Sequence, residues 1–121
     1  MLFRSLGRGA GLYGAVMANP YAGEVEVVLD GRPLVAKLTL GALADLEANL
    51  ETGSLMDLIE RIEARRFSAR DVLAILVAGL RGGGWQGGAG DLARAEFDGG
   101  PLGAAKLAAQ LLARAFALPE A

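Results

Sequence analysis

The sequence predicts an α+β fold that is mostly α, an N-terminal β-hairpin packed on a small bundle of about four helices. Three observations point there. Glu24-Val25-Glu26-Val27-Val28-Leu29 alternates with the period of a half-buried strand and runs straight into Asp30-Gly31. Beyond it, apolar residues recur at three- and four-residue spacing in segments that open on Thr39, Ser54 and Ser68, residues suited to helix N-caps. Hydrophobic residues make up 53% and charged ones 21% of 121 residues, enough apolar side chain for one core and one domain.

Taken in order, the first element is a hairpin over 24–38. Asp-Gly suits a two-residue turn in which both central residues adopt positive φ. Arg32 to Leu38 supplies the return strand, and Pro33, which has no N–H, must face an edge. A lone hairpin is marginal, so it requires a packing partner. Thr39 caps a helix over about 39–50, with Leu43, Leu46 and Leu50 on one side and Gly53 beyond its end. Ser54 caps a second over about 54–66, with Asp57 at its third position and Leu55, Leu58, Ile59 and Ile62 as its apolar face. Ser68 and Asp71 repeat the device for a third over about 68–81. Its Val72, Leu73, Ile75, Leu76, Val77 and Leu80 cover nearly the whole circumference, as in a helix buried among others. Gly82-Gly83-Gly84 ends it, and 81–90 reads as a loop around Trp85. A short helix over 91–97 is expected next. The last runs over about 101–118, opened by Pro101 and stopped by Pro119, with Lys106, Gln110 and Arg114 as a narrow polar stripe.

Residues 1–16 differ in kind from the rest. They hold Arg4 and Arg8, no acid and four glycines, and the glycines and Arg8 break up any signal-peptide apolar region. The expectation is a disordered or upstream extension, with Met17 as the start of a single domain over 17–121. Two GxGxxG matches, Gly9 to Gly14 and Gly82 to Gly87, lack the preceding strand that gives such a pattern meaning in nucleotide binding.

Histidine and cysteine are both absent, which removes disulfides, thiol nucleophiles, imidazole acid/base chemistry and the usual zinc sites. Of three serines, Ser54 and Ser68 are explained as caps and Ser5 lies in the extension; Lys37 and Lys106 have no local arrangement that would activate a serine. Glu47 and Glu51, with Asp45 and Asn49 on the neighbouring line, read as solvated helix surface, short of the oxygen ligands a divalent ion takes. No enzyme activity and no cofactor are expected. A net charge of −2 gives no basic field for nucleic acid, and no apolar run reaches the roughly 20 residues of a membrane span.

Two features remain. Arg61, Arg65, Arg66 and Arg70 form the one basic cluster, interleaved with Asp57, Glu60, Glu63 and Asp71, and Asp57 with Arg61 suits an i, i+4 pair. The last helix carries Leu107, Leu111, Leu112 and Phe116 among alanines, more apolar surface than a single core-facing stripe requires. Either these leucines fill the domain's own core or part of that surface awaits a partner. The candidate partner-contacting residues are therefore Leu107, Leu111, Leu112 and Phe116, with Arg61 and Arg65.

Met17-Ala18-Asn19-Pro20, the hairpin around Asp30-Gly31, the run Leu38 to Glu47, and Arg66-Phe67-Ser68-Ala69-Arg70-Asp71-Val72-Leu73 through Gly82 resemble a family of small tail proteins of gene transfer agents and prophages. That family is described both as phage tail tube proteins and as tail assembly chaperones. The resemblance covers about residues 17–84 and, more loosely, the C-terminal third. It implies a non-enzymatic role in building a phage-like tail, with the tape-measure protein and other tail proteins as partners. It further implies residence in the cytoplasm during assembly or in a virion-like particle. The expected role is a chaperone on the tape-measure protein, the alternative a tail tube or tail-tip subunit; self-association is left open.

Overall fold

The computed structural model of the protein describes residues 18–19, 22–50 and 53–116. The expected extension over 1–16, the Met17 start, Glu51 and the stop at Leu118-Pro119 lie outside the described residues.

Strand β1 (Glu24–Leu29) pairs antiparallel with β2 (Arg32–Lys37) in the register Glu24 to Lys37 through Leu29 to Arg32. Asp30 and Gly31 both take positive φ, 52° and 78°, the combination a two-residue turn requires. Val25, Val27 and Leu29 turn into the core with Ala36 and Leu38. In this register Val28 and Pro33 form a non-hydrogen-bonded pair, so the proline nitrogen points away from β1, as its missing donor requires.

Both outer edges of the hairpin are covered, which the sequence did not reveal. On the β1 side, Leu29 forms a bridge with Phe97. Asp30 N–H donates to the Glu96 carbonyl at 2.8 Å, Glu96 N–H to Asp30 Oδ1 at 2.9 Å, and Asp98 N–H to the Val28 carbonyl at 3.2 Å. The turn aspartate thus also anchors a segment 66 residues away.

Among the described residues five helices follow: α1 (Leu40–Ala48), α2 (Leu55–Glu63), α3 (Ala69–Gly82), α4 (Ala89–Ala93) and α5 (Gly100–Ala115). Thr39 Oγ1 accepts from Ala42 N–H at 3.0 Å, and Ser54 with Asp57 and Ser68 with Asp71 close full capping boxes. Helix α1 stops at Ala48 because the Asn49 side chain donates to the Asp45 carbonyl at 2.8 Å. Helix α2 ends at Glu63, short of the expected 66. Arg65 adopts φ 58°, and the N–H groups of Arg65 and Arg66 return to the carbonyls of Ile62 and Arg61, a Schellman arrangement. Helix α4 is the expected 91–97 helix displaced and shortened. The Asp91 carboxylate caps Gly88 N–H at 3.0 Å, and the edge pairing takes 96–98 out of helix.

Helix α3 is the hub, touching β2, α1, α4 and α5. Two close approaches lock it in place. A Cβ on Gly82 or Gly83 would sit 2.0 Å from the Lys37 carbonyl oxygen or 1.9 Å from that of Val35, so the end of α3 covers the outer edge of β2 at a distance only glycine permits. A Cβ on Gly79 would meet Leu111 at 2.7 Å, which marks the α3–α5 crossing. Leu46, Leu58, Ile75, Leu76, Leu80, Leu92 and Leu111 are fully buried with Val25 and Val27.

A candidate helix-binding groove between α1 and α3

Of the two readings left open for α5, burial of its leucines favours the first, that they fill the domain's own core. Leu111 is 0% exposed and Leu112 4%, both in the domain's own core with Ala104 and Ala108, and Leu107 is half-buried against it. Of the four apolar candidates only Phe116, at the helix end, stands out, at 43%. Arg114 leaves the expected polar stripe as well, donating to the Glu24 carbonyl at the start of β1.

The open apolar surface lies on α3. Its core side is Ile75, Leu76, Ala78, Gly79 and Leu80, but Leu73, Ala74 and Val77 are only half-buried, so the helix is not enclosed all round as its composition suggests. They face a groove of about 1040 Å³ between α3 and α1. Arg70, Leu73, Ala74, Val77 and Arg81 recur at helical spacing along one wall, over a rise of about 17 Å. Ala42, Asp45, Leu46 and Asn49 do the same on the α1 wall. The small side chains of Ala74 and Ala78 leave room between the walls. The mixture of small and half-buried apolar residues on one helix face was the signal available in the sequence, masked by reading every apolar residue of α3 as core.

The basic cluster is divided by the fold. Arg61, Arg66 and Arg70 line the groove, and Arg65, exposed in the Schellman turn, does not. Arg61 pairs with Asp71 and not with Asp57, whose carboxylate belongs to the Ser54 box. The Arg61–Asp71 contact is bidentate, Nε to Oδ2 at 3.1 Å and Nη2 to Oδ1 at 2.8 Å, tying α2 to α3. The hydrogen bonds from Arg61 hold the Asp71 carboxyl below its ordinary range against the opposing effect of burial, with the Ser68 N–H assisting. The same hydrogen bond to Asp71 raises the Arg61 guanidinium. Glu47 accepts from Leu55 N–H at 3.1 Å, joining α1 to the start of α2. Among the described residues no three acids gather where a metal ion could be held, and no helix is long and apolar enough to cross a membrane.

A family profile described as "Phage tail tube protein, GTA-gp10" matches residues 22–118. The chain belongs to this family. As a GTA-gp10 family member it is a phage-like tail protein, associated with a virion-type particle and with other tail proteins. The match spans the hairpin and all five helices, including both walls of the groove. No curated protein and no solved structure matches the chain significantly.

Proposed function

We propose that this protein is a non-enzymatic tail assembly chaperone that holds the tape-measure protein through apolar helical surface and gives way as tube subunits assemble. The observation that carries the reading is the half-buried side of α3, Leu73, Ala74 and Val77, left open above a formed core. A helical groove with apolar floor suits a partner presented as a helix, and the long helical tape-measure protein is such a partner. The protein would act in the cytoplasm while particles assemble, with no cofactor. Leu107, Phe116 and Arg65 remain proposed secondary contacts, since each keeps some surface at the domain's exterior.

The family's description favours a second reading, a tail tube or tail-tip subunit that stays in the particle. The two-stranded sheet among the described residues offers little of the β-surface from which a tube wall is built. Mass spectrometry of purified mature particles separates the two. Absence of the polypeptide from particles whose tails require its gene is the outcome expected of a chaperone; stoichiometric recovery would overturn it.

A further inference from the structure

We propose that the groove between α1 and α3 seats one foreign α-helix that is apolar on one side and acidic on its flanks. This rests on the chaperone reading for the identity of the partner, but its chemistry follows from the groove itself.

Beside the paired Arg61 and Asp71, the lining includes Arg66 and Arg81 against one further acid, Asp45. That is a local excess of positive charge in a chain whose net charge is −2. Arg61 and Asp71 neutralise each other, whereas Arg66 and Arg81 carry no ion pair among the described residues and stand exposed at the rim. Arg81 lies in the last turn of α3, one wall's far end, and Arg66 just before its start. Between them runs the apolar strip Leu73, Ala74 and Val77, with Leu46 and Leu50 opposite. A helix of about 12 residues matches the length of the α3 wall from Arg70 to Arg81. Acids on its flanks would meet the two rim arginines, and complementary charge of this kind selects partner and register more than it adds affinity.

Neither the N-terminal sixteen residues nor any described helix of this chain matches the seat. Residues 1–16 carry Arg4 and Arg8 and no acid, the same sign as the rim. Helix α2 bears Asp57, Glu60 and Glu63, but Leu58 is buried and Leu55, Ile59 and Ile62 pack against the core, leaving Met56 as its one exposed large apolar side chain. The exposed large apolar residues, Leu40, Met56, Leu102 and Phe116, are scattered over three helices and make no continuous stripe. Among the described residues a second copy therefore offers no exposed apolar stripe flanked by acids, which favours another polypeptide as the occupant.

The test uses the full chain and two designed helical peptides of about five turns, identical in a leucine stripe and flanked by glutamate in one and lysine in the other. Fluorescence anisotropy should show the glutamate peptide binding at least about tenfold tighter, with affinity falling as salt rises. The double variant Arg66→Glu with Arg81→Glu, both at exposed positions, should keep its circular dichroism melt and reverse the preference. Equal binding of both peptides, binding of neither, or indifference to the double variant would overturn the proposal. So would dimerisation of the chain that the double variant abolishes, which would give the groove to a second copy. Capture of full-length tape-measure protein separates this inference from the function it rests on. Capture by wild type and double variant alike would sink the groove and leave the chaperone. Peptide binding as expected without such capture would keep the groove and remove the tape-measure protein as its occupant.

Discussion

The two sides of α3 solve the same packing problem to different degrees. Toward the hairpin, glycines at 82 and 83 bring backbones to distances no other residue allows, Gly79 leaves room for the Leu111 side chain of α5, and Ile75, Leu76 and Leu80 vanish from solvent. Toward α1, the helix presents Leu73, Ala74 and Val77 half-covered, across a groove rimmed by arginines. The first side is what a domain needs to fold; the second exceeds what folding needs. Apolar content alone does not tell them apart. What distinguishes them is glycine on the closed side and small alanines with flanking arginines on the open one.

The comparison breaks most severely at Leu111, which fills the Gly79 crossing. Leu111→Asp removes a fully buried side chain and leaves a carboxylate without a partner, a combined cost of about 4 kcal/mol or more. For a small domain that is most of the folding free energy. The variant should show no cooperative thermal transition, whereas Phe116→Asp, at a 43% exposed position, should melt within a few degrees of wild type. A folded Leu111→Asp would return α5 to the list of partner surfaces.

Next in size is Gly83→Ala. Its Cβ would press on the backbone of Val35 and Ala36, which cannot rotate away as a side chain would, so a loss of about 3 kcal/mol in urea unfolding is expected. A neutral result would mean that α3 does not seal the β2 edge.

Asp71→Asn acts at the joint between α2 and α3, weakening both the capping box and the bidentate pair. About 1 to 2 kcal/mol should be lost at neutral pH. The pH dependence has a definite sign. The folded carboxyl titrates below its ordinary 3.8, so its contribution is fully present above that value and disappears as pH falls through the depressed folded pKa. Unfolding curves of wild type and variant should therefore stay apart from pH 7 to about 5 and converge in acid below about pH 3.8.

Much of the closed side was legible in the sequence. The alternation of Glu24 to Leu29, the Asp30-Gly31 pair and the Ser54/Asp57 and Ser68/Asp71 boxes are local devices whose partners lie within four residues. Long-range features escaped. The pairing of Leu29 with Phe97, Arg61 choosing Asp71 over Asp57, and the burial of Leu111 depend on chain segments meeting in space, which periodicity cannot report. The open groove was hidden for a related reason: an apolar residue on a helix declares that it prefers cover, not whether the domain supplies it.

A direct measure of the two sides is the pair Ile75→Ala and Val77→Ala. The first should cost about 2 to 5 kcal/mol, as deletion in a sealed core does, and the second less than about 1 kcal/mol, since Val77 is only partly buried. Similar costs at both positions would mean that α3 is closed on every side.

The smallest expected effect has the opposite sign. Arg65 holds φ 58°, a conformation that costs a residue with a Cβ about 1 kcal/mol or more, in order to let Arg65 and Arg66 satisfy the last carbonyls of α2. Arg65→Gly removes that strain and adds back some unfolded-chain entropy, for a net gain of about 0.5 kcal/mol. The measured unfolding midpoint should rise slightly. Because Arg65 does not line the groove, Arg65→Gly should also leave binding of the acidic helical peptide unchanged, in contrast to Arg66 one residue further on. A loss of binding in that variant would place the partner's path over the α2 turn instead of along α3.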